Sequence, residues 1–208
     1  MSTNIITIGR QPGSGGRLIA ARLSEMLGYK VYDKNLLNIA SRESGLSREF
    51  FEKFDEKASF SIFGSWFGIH DNVTDEIYSG SYLSNESLFQ IQSSVIRKIA
   101  EKESAIFLGR CADYVLSDHP GVLSVFVTAY LPDRIKRMSE YKDINEQKAR
   151  EWVVRSDKKR RSYYNYFSNK EWGHASAYNL CINTSEFGIE KATELIYKLA
   201  VDRFGLKR

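Results

Sequence analysis

The sequence predicts an α/β domain in three layers, with a five-stranded, mostly parallel sheet between helices. Three observations predict it. Short runs rich in β-branched and apolar residues recur at 4–8, 30–32, 105–108, 122–128 and 179–183. Segments with apolar residues at helical spacing separate these runs, and such alternation implies a parallel sheet covered on both faces. The first strand also runs through a glycine-rich turn directly into a helix.

The elements follow in order. After the strand at 4–8, Ile19, Leu23, Met26 and Leu27 recur at helical spacing, and Gly28 stops that helix. The strand at 30–32 ends at Asp33, and helices are expected at 34–44 and 47–56, the second supported by Phe51, Phe54 and a Glu49–Lys53 pair. Residues 58–84 set Phe60, Phe63, Trp66, Phe67, Tyr78 and Tyr82 among many Gly and Ser, and read as an irregular or partly helical cover. A helix over 85–103 carries the stripe Leu88, Ile91, Val95 and Ile99, with Ser84 or Asn85 as its cap. The strand at 105–108 ends at Gly109-Arg110. Beyond 122–128, Pro132 opens a helix that ends near Tyr141. A basic helix covers 145–167, and the strand at 179–183 leads to a closing helix at 189–203. Ligands of such sheets lie beyond the carboxyl ends of the strands. The places to inspect are therefore 9–17, Asp33, Gly109-Arg110 and the chain from Thr128 onward.

The chain has 208 residues, 42% hydrophobic and 27% charged, with a formal net charge of +4. That suits one domain and an anionic ligand. It does not mark a nucleic-acid binder, although the basic helix with Tyr163, Tyr164 and Tyr166 keeps that as a minor reading. Cys111 and Cys181 have no metal-type spacing and read as two reduced, half-buried thiols. His70, His119 and His174 fall in expected loops without partners, and Trp66, Trp152 and Trp172 read as packing residues. No leader pattern and no apolar run of about 18 residues is present, so a cytoplasmic protein without membrane contact is the expectation.

Strand, glycine-rich turn and helix together form an arrangement that cradles phosphate, because backbone N–H groups and the helix terminus converge on the anion. Gly13, Gly15 and Gly16 supply the freedom, with Pro12 and Ser14 shaping the turn. The regular pattern ends in Gly-Lys-Ser/Thr. Here Gly16 stands where the lysine is expected, Arg17 where the hydroxyl is expected, and Arg10 replaces the first glycine. Arg17 or Arg10 could supply the missing cation. Mg²⁺ would then be held by water, by Ser14 or by a distant carboxylate.

The run 5–17, followed by Tyr32-Asp33-Lys34, resembles the cytidylate kinase-like family, which carries Gly-Ser-Gly-Gly-Arg in place of the lysine form. The resemblance continues through Leu108-Gly109-Arg110, Asp157-x-x-Arg160 with Tyr163-Tyr164, and 178–184. It implies a three-layer P-loop NTPase fold with a helical lid. One domain would span 1–208, with an acceptor-side insertion at about 45–84 and a lid-like basic helix at about 142–172. It implies a kinase that uses ATP and Mg²⁺, moving the γ-phosphoryl onto a small-molecule acceptor, a cytidylate-like nucleoside monophosphate by default.

On that resemblance the phosphate chain falls to Arg10, Gly13, Ser14, Gly15, Gly16 and Arg17. Asp33 lies near the acceptor, and Arg110 meets the acceptor phosphate. Asp157 and Arg160 belong to the closing lid. Cys111 stands where the family pattern has an aspartate. Two bland readings compete: Asp33 as a helix cap, and Asp157-x-x-Arg160 as a simple pair on one solvated face. Arg155 and Arg161 are further cations, with Arg134 and Arg137 behind them. The alternative function is a non-catalytic nucleotide-binding module with a degenerate loop. The aromatics of 58–84 leave a homodimer contact open.

Overall fold

The β-branched residues near the N-terminus form β1 (Ile5–Arg10), the central strand of the sheet. Ile5, Ile6 and Ile8 are all fully buried. A computed structural model describes residues 3–33 and 85–206 of the chain. Within them follow α1 (Gly16–Leu27), β2 (Lys30–Tyr32), α2 (Asn85–Lys102), β3 (Ala105–Leu108), α3 (Ala112–Val115) and β4 (Val122–Thr128). Next come α4 (Leu131–Lys142), α5 (Glu146–Ser168), a 3₁₀ turn at Ala175–Ala177, β5 (Leu180–Asn183) and α6 (Thr184–Phe204). The helices expected at 34–44 and 47–56, the aromatic stretch 58–84, Trp66, His70 and the insertion at 45–84 lie outside the described residues.

The strand order is β2-β3-β1-β4-β5, and every neighbouring pair is parallel. Successive side chains of a strand point to opposite faces. Ile6, Ile8, Leu108, Val125 and Val127 accordingly pack with Ile19 and Leu23 of α1 and with Ile196 and Ala200 of α6. Ile5, Phe107 and Val122 face the other way, onto Val95 and Ile96 of α2 and onto Ala112 and Val115 of α3. Each large aliphatic side chain so buried contributes roughly 1.5–3 kcal/mol of transfer free energy. The result is a five-stranded α/β sandwich with its carboxyl strand ends gathered along one edge.

Beyond that edge stand α4 and α5. Ile135 and Met138 of α4 meet Ala149 and Val153 of α5. Asn145 caps α5 by accepting the Lys148 N–H at 2.9 Å. With 23 residues, α5 is about 34 Å long. Its far end inserts Tyr164 among Phe126, Trp172 and Tyr178. One helix thus reaches from α4 to the aromatic cluster beyond β4.

Several expectations need correction. Cys111 is buried and Cys181 exposed, so the two thiols are not alike. His119 is not without partners: its Nε2 lies 3.1 Å from Thr3 Oγ1, and its Nδ1 accepts the Gly121 N–H at 3.2 Å. His174 caps the 3₁₀ turn, its Nδ1 2.8 Å from Ser176 Oγ. The closing helix starts at Thr184 rather than 189, because Asn183 Oδ1 accepts the Ser185 N–H at 3.0 Å and opens a helical turn ahead of a break at Gly188. The one-turn α3 has no apolar period to announce it.

Candidate phosphate and acceptor site

β1 ends at Arg10 and α1 starts at Gly16, so the glycine-rich loop joins the central strand to a helix N-terminus. Gln11 fastens the loop to β4. Its N–H donates to the Val127 carbonyl at 3.1 Å, and its side-chain oxygen accepts from Thr128 Oγ1 and the Ala129 N–H. The loop is also braced from two helices. Thr184 Oγ1 of α6 donates to the Ser14 carbonyl at 2.8 Å. Arg137 Nη1 of α4 donates to the Gly13 carbonyl at 3.2 Å and to Thr184 Oγ1 at 3.0 Å. In a trans peptide the C=O and N–H point in opposite directions, so fixing the Ser14 carbonyl turns the Gly15 N–H the other way. The first α1 hydrogen bond runs from Ile19 N–H to Gly15 C=O at 3.0 Å. The N–H groups of Gly16, Arg17 and Leu18 therefore precede the helical ladder, at the end of the helix that favours anions.

Two glycines are dictated by contact. Gly13 has φ +75°, and a Cβ there would lie 2.5 Å from the Arg134 carbonyl oxygen. Gly16 is blocked differently: its Cβ would lie 2.8 Å from Arg10 Cβ and 3.1 Å from Arg10 Cγ. The Arg10 side chain thus passes over the position where the regular pattern has a lysine, and its guanidinium lies against Gly109 at the end of β3.

Arg10 is not alone there. Arg160 of α5 donates from Nη1 to the Arg10 carbonyl at 2.8 Å. Burial, then the charges of Arg160 and Arg110, hold the Arg10 guanidinium well below its ordinary range; Asp33 pulls the other way. Burial likewise brings Arg160 down to about 10, opposed by Asp157 and aided by Arg110 and Arg134. Arg110 adopts a left-handed backbone with φ 60° and sets its guanidinium 5.5 Å from the centre of the Tyr163 ring. A left-handed non-glycine residue costs roughly 1–2 kcal/mol, and such strain collects at functional sites. Arg17 is largely exposed, with its guanidinium 3.8 Å from the Asp33 carboxylate.

Arg10, Arg110 and Arg160 rim a cleft of about 1040 Å³. Gly9, Arg10, Gly109 and Arg110 line one wall, and Arg155, Lys158, Lys159 and Arg160 of α5 line another. Its floor holds Cys111, Asp113, Tyr164, Trp172 and Tyr178. Tyr164 donates its hydroxyl to Asp113 Oδ2 at 2.6 Å. Burial raises the Asp113 carboxyl, against the Tyr164 hydrogen bond and nearby backbone N–H groups. Burial and the Asp113 charge push the Cys111 thiol up to about 12, so it stays protonated and unreactive at neutral pH.

A family model matches residues 5–186, and the family is described as cytidylate kinase-like. The chain belongs to the cytidylate kinase-like family. A curated relative, a cytidylate kinase from Methanopyrus kandleri, is 27% identical over 207 residues, which is 95% of this chain and 93% of that protein. Among solved structures, an uncharacterized protein from Eubacterium ventriosum superposes with a TM-score of 0.72 and 28% identity, covering 95% of this chain and 98% of the other. A shikimate kinase from Bacteroides thetaiotaomicron matches with a TM-score of 0.52 and 11% identity, over 94% of this chain and 97% of that one, and shares the fold. The five-stranded α/β fold is therefore that shared by the P-loop kinases.

Against this family background, the expected site residues divide. Arg10, Arg17, Asp33, Arg110 and Arg160 gather around the loop and the cleft mouth. Asp157 does not join them. It turns to α4, where it accepts from Arg134 Nη1 at 2.7 Å with both side chains largely buried. Ser14 also departs from one expectation. Its side chain is fully buried and donates to the Gln11 carbonyl at 2.8 Å, so that hydroxyl is committed to the turn and not presented to a metal. Arg161 is exposed and stands outside the cleft lining. Four residues were not assigned this place from the sequence. Arg137 and Thr184 brace the loop, whereas Asp113 and Tyr178 form the floor. Thr184 follows β5 directly, so its position at a strand end was a usable signal. The others are brought in by tertiary packing.

Proposed function

We propose that the chain transfers the γ-phosphoryl of ATP to a nucleoside monophosphate of the cytidylate type. The observation that carries this is the convergence of Arg10, Arg110 and Arg160 beside the phosphate loop, where burial and mutual repulsion depress Arg10 and Arg160. Like charges held this close are stabilised by an anion, and phosphate matches guanidinium geometry. Family membership and the cytidylate kinase relative support the same reading.

The loop N–H groups and Arg10 would hold the β- and γ-phosphates, with Arg10 doing the work of the usual lysine. Arg110 would hold the acceptor phosphate, and Arg160 would neutralise charge on the transferring group. An acceptor phosphate is already an oxyanion, so no base is needed to remove a proton. Positioning and charge then suffice for transfer. Bound Mg²⁺ would neutralise triphosphate oxygens; with the Ser14 hydroxyl committed, Asp33 is an acidic group among the described residues suited to hold it through water.

The second reading, a nucleotide-binding module without turnover, draws on the committed Ser14 hydroxyl and the absence of lysine at Gly16. One assay separates the two. The protein is incubated with γ-labelled ATP, Mg²⁺ and a panel of nucleoside monophosphates and small hydroxy acids. The expected outcome is label in cytidine diphosphate or its deoxy form, with one ADP formed per product. Saturable ATP binding with no labelled acceptor would establish the binding module instead.

A further inference from the structure

We infer that the broken start of α6 positions the phosphate loop, with the Thr184 hydroxyl aiming the Gly15 N–H at the phosphate chain. The inference rests on the reading of that loop as a phosphate cradle and adds the residue that sets its orientation.

Thr184 is the first residue of α6 and is buried. Its hydroxyl is not needed to cap that helix, because Asn183 Oδ1 already accepts the Ser185 N–H. It serves the loop instead. Arg137 Nη1 donates to Thr184 Oγ1 at 3.0 Å. A guanidinium has no acceptor, so the Thr184 oxygen accepts there and its single proton goes to a carbonyl. Ser14 lies at 2.8 Å and Thr128 at 3.3 Å, and the shorter contact takes it. The same Arg137 nitrogen holds the Gly13 carbonyl at 3.2 Å. One polar chain thus draws two successive loop carbonyls back toward α4 and α6. The Ser14 N–H is committed to the Gln11 carbonyl at 3.3 Å. The Gly15 N–H, turned away from α6 by the trans geometry, is therefore the loop donor whose direction Thr184 sets. A glycine after this peptide lets it flip at little cost. A flipped peptide would present a carbonyl oxygen to phosphate where the N–H should stand.

A second observation ties the same segment to the same residue. Gly188 interrupts α6 with φ 70° and ψ 165°, a region that is essentially confined to glycine. Space does not require the glycine, since a Cβ there would meet nothing within 4 Å among the described residues. The backbone break requires it. The next residue, Ile189, lies over Gly15, where a Cβ would stand 2.7 Å from Ile189 Cδ1 and Cγ1. Thr184 before the break thus holds the carbonyl ahead of Gly15, and Ile189 after it covers the Gly15 α-carbon.

The test is titration calorimetry with tripolyphosphate, beside ¹⁵N amide spectra and the transfer assay. The wild-type chain is expected to bind tripolyphosphate and to move its Gly15 amide proton downfield on saturation. Thr184→Val keeps the shape and removes the proton. Its affinity is expected to fall by about ten- to a hundredfold, the range for one charge-assisted hydrogen bond, with the Gly15 shift lost. Thr184→Ser keeps the hydroxyl and is expected to recover most of both. The KM for the acceptor should hold in each variant. If Thr184→Val does not fold, Gly188→Ala decides: it strains the exposed break, and tripolyphosphate affinity is expected to fall several-fold. A lower melting temperature with tripolyphosphate affinity and the Gly15 shift unchanged would mean a merely structural role, and would overturn the inference while leaving the kinase reading intact. A wild-type chain that binds but transfers nothing, with binding lost in Thr184→Val, would support the inference and overturn the kinase reading. A wild-type chain that binds no polyphosphate would overturn both.

Discussion

At the scale of single residues, Gly16 and Arg10 are one device in two parts. A Cβ on Gly16 would run into the Arg10 stem at 2.8 Å. Arg10 in turn crosses the space that a lysine at 16 would use. A Gly16→Lys change is therefore expected to lose triphosphate affinity, because its stem would clash with the Arg10 stem and displace it. Arg10→Gly should lose it too, by about ten- to a hundredfold, the range for one charge-assisted hydrogen bond of roughly 1.5–3 kcal/mol. The double variant restores the regular arrangement and is expected to recover most of the loss. Titration calorimetry with an ATP analogue measures all three. Losses that simply add in the double variant would show that the two positions are independent. A failed Gly16→Lys variant is thus no evidence against catalysis, since the Arg10 stem already occupies the space beside Gly16.

At the scale of elements, α5 decides whether the cleft has a second wall. It was legible as a long basic helix over 145–167, and the structure adds its Asn145 cap and the packing of Ala149 and Val153 on α4. What it does with its charges was not legible. Spacing places Asp157 and Arg160 on one face, yet they take different partners: Asp157 holds Arg134 of α4, and Arg160 holds the carbonyl of Arg10. No sequence rule gives the rotation of one helix against another, so pairing across elements stays hidden. The Arg134–Asp157 pair is largely buried, so removing one partner strands the other. Asp157→Ala is expected to destabilise the fold by about 3–5 kcal/mol. Replacing both, as Arg134→Met with Asp157→Leu, should recover most of that. Urea midpoints check this. A small loss in Asp157→Ala would mean that water reaches Arg134 and that the pair is not what docks α5.

At the scale of the whole molecule, the five strands and their order of helices followed from β-branched runs and helical periods. The loop followed from three glycines between strand and helix. The convergence on that loop did not, because it comes from remote chain segments. Gln11 ties it to β4, Arg137 and the Arg134 backbone press it from α4, Thr184 holds it from α6, and Arg160 reaches the adjoining Arg10 from α5. An anion seated there interacts with a centre to which most layers of the fold are fastened, and it quenches the repulsion among Arg10, Arg110 and Arg160. Such a ligand binds the native state and not the unfolded chain. At a hundred times its Kd it would add about 2.7 kcal/mol of stability. For a domain near 200 residues, each kcal/mol moves Tm by roughly 2–4 °C, so inorganic tripolyphosphate is expected to raise Tm by roughly 5–11 °C. Sodium chloride at matched ionic strength should not reproduce it, because screening lacks the geometry of the loop. In Arg10→Ala, with the affinity lowered ten- to a hundredfold, about 0.4–1.4 kcal/mol remains at the same concentration, so the shift should fall to about half or less. A shift that is the same in that variant would place the anion elsewhere on the basic surface and remove Arg10 from the phosphate site.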